Sequence, residues 1–498
     1  VIPKILFFYS LCIISVALAQ EKTEVDPIGN LNPVQSSDFH ESMVPEPIFG
    51  GEIYLLQAGL AKDTTIILIH GVGDLASTIW DGIVPDLAEF FHVIAVDLPG
   101  FGSSSKKNIL YSPERYAAFI DWLIKNYAQD NVILMGHSLG GGLALCYAGV
   151  YPGRLEQLVL VDACGVLHRA TLTKYMAQFR TKSESGILQK SINIVNDIWH
   201  SLLDGFERPS LEKNLDKILN SKTLRSKILK GDPGKIAGLA LVQYDFSEIL
   251  ENIEIPALIL WGANDEITPI RTANILNRKL RNSRLFILEN AAHSPQKDLP
   301  DTFNKIVIRE LLHPSLADTV TINAGNDHAQ AELKNASFFG INDSTITGQF
   351  DSLTIARCQR LELSGIYANW IQIKSSRLIL KNAEITGNME AMNIQSAEVN
   401  LKDCNIRSNN VGIRTRGSDL KMTLTTIKAD TAIATTSSRF DLAAVELIGI
   451  EAAVCADLTT LDSPRNVSDL LFSVSKINSP LTKGNMHKFC NVSPKVAL

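Results

Sequence analysis

Five short apolar runs mark the first part of the chain, at 65–69, 92–96, 131–135, 257–261 and 284–288. Each is followed by a segment that contains Gly, Asp, Asn or His, and the stretches between them are compatible with helices. Apolar runs of this length suit buried strands. Strands that alternate with helices predict an α/β fold, in which a parallel sheet is covered by helices.

The pattern changes near residue 315, where short pieces of alternating apolar and polar residues begin. Similar pieces recur at 371–373, 392–394, 413–415, 433–435 and 454–456, in steps of 21, 21, 20 and 21 residues, with further strand-like pieces between them. No proline occurs from 316 to 463. A fixed period with several short strands in each repeat is typical of a solenoid. We therefore expect an all-β domain over 315–498.

The N-terminus carries a pattern of its own. Lys4 precedes a run of 15 mostly apolar residues, 5–19, which ends in Ala17-Leu18-Ala19. A membrane span needs about 20 apolar residues, so the run favours a cleaved secretory signal peptide over an uncleaved anchor. We predict a signal peptide at 1–19, an extended lead-in at 20–47, an α/β domain at 48–313, and export to the periplasm, the envelope or the medium.

Composition narrows the function classes. With 45% hydrophobic and 20% charged residues the chain is of the globular type, and its net charge of −6 provides no general attraction for nucleic acid. Seven cysteines are too few for a disulfide scaffold. Since no dinucleotide fingerprint, phosphate-binding loop or metal-ligand spacing is found, we expect neither a cofactor nor a metal.

Candidate chemistry lies where three of the predicted strands end. Gly136-His137-Ser138-Leu139-Gly140 follows the 131–135 strand and precedes an apolar helix, as a nucleophilic serine on a sharp turn requires. Asp265 and His293 follow two later strands, so an acid and a base would meet Ser138 at one sheet edge. Asp162, at another strand end, is the alternative acid.

The series HGVGD, DLPGFG, GHSLGG, WGANDEITP and NAAHS resembles the α/β-hydrolase fold, here of the esterase and lipase type. The resemblance implies a doubly wound sheet with a helical cap at about 165–250. It also implies Ser138 as nucleophile, Asp265 as acid and His293 as base, with the backbone N–H groups of Val72 and Leu139 as the oxyanion hole. His70 would brace the oxyanion loop, and His137 would fill the turn.

The second domain resembles a right-handed parallel β-helix, with a leucine-rich horseshoe as the weaker alternative. The whole chain then predicts an exported serine hydrolase that cleaves a carboxylic ester, on a small molecule or a polymer, through an acyl-enzyme on Ser138. The C-terminal domain would stabilise the protein or bind a glycan or the cell envelope. Two alternatives stay open: a hydrolase that cleaves carbon–carbon bonds of vinylogous diketones with the same triad, and an envelope-binding or glycan-binding protein whose hydrolase half is inactive.

Overall fold

The computed structural model describes residues 39–73, 76–167, 215–313, 334–456 and 469–478. The predicted signal peptide, most of the predicted lead-in and residues 168–214 of the predicted cap lie outside the described residues. No helix within the described ranges is both long enough and apolar enough to cross a membrane.

An eight-stranded sheet organises the N-terminal half, in the order β1-β2-β4-β3-β5-β6-β7-β8. The strands β1 and β2 pair antiparallel with each other, β2 pairs antiparallel with β4, and the remaining neighbours are parallel. The strand β1 lies inside the 20–47 segment that the sequence assigns to a lead-in. The strands are β1 (His40–Glu46), β2 (Gly51–Ala58), β3 (Thr64–Ile69), β4 (His92–Val96), β5 (Asn131–His137), β6 (Gln157–Val161), β7 (Ala257–Gly262) and β8 (Ser283–Leu288).

Helices cover both faces of this sheet, as a doubly wound fold requires. They are α1 (Val84–Ala88), α2 (Pro113–Tyr127), α3 (Leu139–Val150), α4 (Lys222–Ile228), α5 (Pro233–Gln243), α6 (Ile270–Lys279), α7 (Pro295–Asp298) and α8 (Pro300–Leu312), with 3-10 turns at Ala76–Trp80 and Ile249–Asn252. Successive residues of β3 point to opposite faces. Ile67 belongs to the apolar core that includes α2 and α3, and Ile66 belongs to the core that includes α1 and α8.

The C-terminal half is a coil of parallel strands. They are β9 (Lys334–Phe339), β10 (Thr345–Ala356), β11 (Leu361–Lys374), β12 (Arg377–Lys381), β13 (Glu384–Gly387), β14 (Glu390–Gln395), β15 (Glu398–Lys402), β16 (Asn405–Ser408), β17 (Val411–Arg416), β18 (Asp419–Thr423), β19 (Thr426–Thr436), β20 (Arg439–Ala443), β21 (Glu446–Ala456), β22 (Asp469–Ser473) and β23 (Lys476–Asn478). The predicted all-β solenoid of parallel strands is confirmed.

The repeat of about 21 residues corresponds to one turn of this coil. Ile371 pairs with Met392, which pairs with Ile413, then Ile433, then Val454. The first four of these side chains are fully buried. Each repeat therefore places an aliphatic side chain directly above its predecessor, and the stack forms the solenoid core.

The two halves belong to one compact unit and are joined through α6. Arg271, in its first turn, donates from Nη1 to Asp441 Oδ2 of β20 at 2.8 Å. Ala443, Ala444 and Val474 of the solenoid extend the apolar core around α2 and α3. Because α6 begins five residues after Asp265, this interface lies close in sequence to the candidate acid.

Candidate active site

Ser138 stands on a strained turn between β5 and α3. Its backbone has φ 53° and ψ −114°, which is rare for a residue with a side chain. A Cβ at Gly136 would lie 2.2 Å from the carbonyl oxygen of Gly140, and one at Gly140 would lie 2.3 Å from the carbonyl oxygen of Ile69. Only glycine fits these two positions, so the turn depends on the G-x-S-x-G pattern.

The structure brings the three residues of the predicted triad together. His293 Nε2 lies 2.8 Å from Ser138 Oγ, and His293 Nδ1 lies 2.8 Å from Asp265 Oδ2. All three side chains are buried, with 9% of Ser138, 3% of Asp265 and 7% of His293 exposed. A serine hydroxyl, an imidazole and a carboxylate thus form one hydrogen-bonded chain, the arrangement that nucleophilic catalysis by serine requires.

The Asp265 carboxylate is surrounded by donors. Oδ1 accepts the backbone N–H groups of Ile267 at 2.7 Å and Thr268 at 2.9 Å, and Oδ2 accepts the Thr268 hydroxyl at 2.5 Å as well as His293 Nδ1. Burial works to raise the pKa of Asp265, but His293 and these hydrogen bonds outweigh it and lower the pKa. Asp265 is therefore held as the anion. Thr268 was missed by the sequence reasoning, although its place three residues after the acid is a signal for such a bond.

The loop after β3 lies against Ser138. A Cβ at Gly71 would lie 2.8 Å from Ser138 Cβ, so Gly71, the residue before Val72, lies against the serine. Leu139 is the first residue of α3, where the N–H groups of a helix have no partner within it. Leu139 thus adjoins Ser138, Val72 follows the glycine that contacts it, and the α3 N-terminus favours negative charge there.

His70 holds this loop, as the sequence predicts. Its Nε2 accepts the backbone N–H of Leu98 at 2.9 Å, so Nδ1 carries the proton and donates to the carbonyl of Gly71 at 2.6 Å. Complete burial lowers the pKa of His70, which keeps the ring neutral. The neutral ring ties the loop after β3 to the loop after β4.

His137 supports the base as well as filling the turn. Its Nε2 donates to the backbone carbonyl of His293 at 2.6 Å, so it holds the backbone at the predicted base. Burial and the adjacent His293 lower the pKa of His137 to about 3. The ring therefore stays neutral and does not compete for the Ser138 proton.

Asp162, the alternative acid, lies beside Asp265 rather than on the base. It is completely buried, and Oδ1 accepts the N–H of Gly262 at 3.0 Å. A carboxylate oxygen of Asp162, a carboxylate oxygen of Asp265 and a ring nitrogen of His293 all lie within 4.8 Å of one another. Carboxylates and an imidazole can bind metals, but both His293 nitrogens are already engaged, Nδ1 by Asp265 and Nε2 by Ser138.

The described part of the predicted cap lies against the site. A Cβ at Gly234, in the first turn of α5, would lie 3.6 Å from Val72 Cγ1. Leu241, on the same helix, would lie 2.9 Å from a Cβ at Gly142 of α3. The helix α5 thus lies against the loop after β3 and against α3, the helix that begins directly after Ser138.

Comparison with known proteins agrees with this architecture. A family model described as the alpha/beta hydrolase fold matches residues 64–300. An uncharacterized protein of Mycobacterium tuberculosis is 30% identical over 304 residues, which cover 58% of this chain and 84% of that protein. A pimeloyl-[acyl-carrier protein] methyl ester esterase of Nitrosomonas europaea is 28% identical over 48% of this chain and 92% of its own length. Lipase 1 of Psychrobacter immobilis is 26% identical over 51% of this chain and 78% of its own length. The matched family model, these relatives and the fold together show that the chain belongs to the α/β-hydrolase family and is a hydrolase.

Proposed function

We propose that this hydrolase is an exported serine esterase, which cleaves carboxylic esters through an acyl-enzyme on Ser138. The observation that supports the proposal is the pair of 2.8 Å contacts that His293 makes with Ser138 Oγ and Asp265 Oδ2. The predictions of an oxyanion hole and a cap are consistent with the same chemistry.

The first half-reaction would transfer the acyl group to the enzyme. His293 Nε2 takes the proton of Ser138 as Oγ attacks the ester carbonyl carbon. The carbonyl oxygen becomes an oxyanion, which accepts hydrogen bonds from the N–H groups of Val72 and Leu139. The bond to the alkoxy oxygen then breaks, and protonated His293 gives its proton to the departing alcohol.

The second half-reaction would release the acid. Water replaces the alcohol, gives a proton to His293 and attacks the acyl carbon, and the bond to Ser138 Oγ breaks as the serine recovers its proton. Asp265 stays ionised throughout, since four hydrogen-bond donors surround its carboxylate. It orients His293 and stabilises the positive charge that forms there.

The names of the relatives support an ester as the substrate class. One relative is a methyl ester esterase and another is a lipase, and both align along the first half of the chain. The acyl group and the alcohol are not specified by these likenesses. A small-molecule ester or an ester linked to a polymer fits the proposal.

An ester panel with the full chain tests the proposal. Ser138→Ala should lose activity on short and long activated esters by about 10⁴-fold or more, since nothing else in the triad supplies the attacking oxygen. Ser112→Ala, which removes only the N-cap of α2, is the matched control and should keep the activity. Unchanged turnover in Ser138→Ala would refute the acyl-enzyme. Cleavage of vinylogous diketones without ester cleavage would favour the carbon–carbon hydrolase.

A fluorophosphonate probe separates an active hydrolase from an inactive one. It should label Ser138 in the folded protein and leave Ser138→Ala unlabelled. Failure to label the folded native protein would favour a binding protein with an inactive hydrolase half.

We also propose that the protein is exported and that its solenoid binds a surface polymer. The apolar run at 5–19 with its Ala-Leu-Ala end supports a secretory signal, and the exposed polar and charged side chains of the solenoid strands support binding to a glycan or envelope polymer. Fractionation of cells that express the full chain or the chain from residue 20 tests the first point. Co-sedimentation of the full chain with insoluble polysaccharide tests the second.

A further inference from the structure

A second buried carboxyl group lies behind the proposed triad. Asp162 directly follows β6, the strand between β5, which precedes Ser138, and β7, which precedes Asp265. Its backbone has φ 43°. Its N–H donates to the carbonyl of Leu260 at 3.1 Å, so the residue is anchored in the centre of the sheet edge. The proposed mechanism gives Asp162 no role.

The two carboxyl groups have very different surroundings. Asp265 accepts four hydrogen bonds, two on each oxygen. Asp162 accepts one, from Gly262, and its Oδ2 is buried without a hydrogen-bond partner within the described residues. A buried carboxylate with one bare oxygen is strongly unfavourable, whereas a neutral carboxylic acid carries its own proton on that oxygen.

The charges around Asp162 point the same way. Asp265 and Asp298 both act on it as neighbouring negative charges. His293 is the nearest basic group in the cluster and is already paired with Asp265, and His137 behind it stays neutral. When two carboxyl groups share a dry site, one of them retains a proton. The hydrogen bonds assign the charge to Asp265 and the proton to Asp162.

We propose that Asp162 is a positioning residue that stays protonated at neutral pH and directs its proton toward the Asp265 carboxylate. The inference rests on the proposed function, because it concerns the same triad. A protonated Asp162 leaves only the Asp265 charge, rather than two negative charges, next to His293. A second charge would hold a proton on His293 and prevent it from accepting the proton of Ser138.

The direction of the pKa shift agrees with this geometry. Burial raises the pKa of Asp162 well above the ordinary value, and the Asp265 charge raises it further. The hydrogen bond from Gly262 acts in the opposite direction and is too weak to reverse the shift.

Infrared difference spectroscopy tests the proton directly. The native protein at neutral pH should show the carbonyl band of an un-ionised carboxylic acid, and Asp162→Asn should lose it. Asp121→Asn, which changes another buried aspartate on α2 away from the triad, should keep the band. Absence of the band from the native protein, or its survival in Asp162→Asn, would overturn the proposal. This measurement needs no substrate, so it stands even if the ester assay fails.

The pH profile of kcat/KM tests the positioning role. Asp162→Asn keeps a neutral group with an N–H donor. The acidic limb of its kcat/KM profile should therefore coincide with the acidic limb of the native enzyme. If Asp162 were ionised, this variant would remove a charge and move the limb to lower pH by about one to three units. Asp162→Ala removes the donor, so Asp265 should become more basic and the limb should move to higher pH. A residue with a merely structural role would lower kcat in Asp162→Ala and leave the limb in place, and that result would also overturn the proposal.

Discussion

Replacing Arg271 by alanine should destabilise the whole protein, because this side chain joins the hydrolase to the solenoid. Its Nη1 donates to Asp441 Oδ2 at 2.8 Å and its Nε to Thr423 Oγ1 at 2.6 Å, and Nη2 reaches the carbonyl of Met422 at 2.5 Å. Only 9% of the Arg271 side chain and 15% of Asp441 are exposed. Removal of the arginine would take this cation and its hydrogen bonds away from a nearly buried carboxylate.

The size of the effect follows from this burial. Breaking a buried ion pair by removing one partner costs up to about 3–5 kcal/mol. Arg278 lies seven residues further along the same helix and pairs with Asp403 of the same solenoid at 2.5 Å, but 61% and 40% of these two side chains are exposed. An exposed pair contributes about 0–1 kcal/mol. The two arginines thus form a matched comparison on one helix.

Urea unfolding of the full chain, followed by circular dichroism, measures the difference. Arg271→Ala should lower the unfolding midpoint far more than Arg278→Ala. Arg271→Lys should fall between Arg271→Ala and the native protein, because an ammonium group keeps the charge but lacks the planar fork that reaches several acceptors. Equal midpoints for Arg271→Ala and Arg278→Ala would show that burial of the Asp441 pair does not stabilise the interface, and the reasoning would fail.

Two further predictions concern the site. Gly140→Ala should destabilise the protein by about 1–3 kcal/mol or more, because its Cβ would lie 2.3 Å from the carbonyl oxygen of Ile69. Gly82→Ala is the control and should be tolerated, because its Cβ would lie 4.0 Å from the nearest atom. Equal thermal stabilities of the two variants would contradict this prediction. The pKa of Asp162 is higher in the folded protein than in the unfolded chain, where an aspartate has a pKa of about 3.9. Above that pH the folded protein therefore binds one more proton than the unfolded chain. Its free energy of unfolding falls as pH rises, by up to about 1.4 kcal/mol per pH unit. Asp162→Asn lacks this loss, so its Tm relative to the native protein should rise between about pH 5 and pH 8, and a constant difference would refute the protonated state.

Local patterns were sufficient to predict much of the fold. The 92–96 run coincides with β4, and the repeat that predicts a solenoid places Ile371, Met392 and Ile413 in one ladder. These features are readable because strand alternation and a fixed repeat length act between near neighbours in the chain. The glycines around Ser138 also report a local constraint, since the sharp turn leaves no space for a Cβ.

Long-range packing decided the rest. The sequence favoured Asp265 as the acid and kept Asp162 as the alternative, and the folded sheet sets Asp265 against His293 with Asp162 beside it. The contact between Arg271 and Asp441 spans 170 residues and leaves no trace in the spacing of either segment. Which buried oxygen finds a donor, and which charge finds a partner, depends on atoms brought together from distant parts of the chain. The sequence by itself determined the strands that lead to the site, the turn at Ser138 and the repeat, because those follow from neighbouring residues, while only the tertiary structure set Asp265 against His293 and joined the two halves.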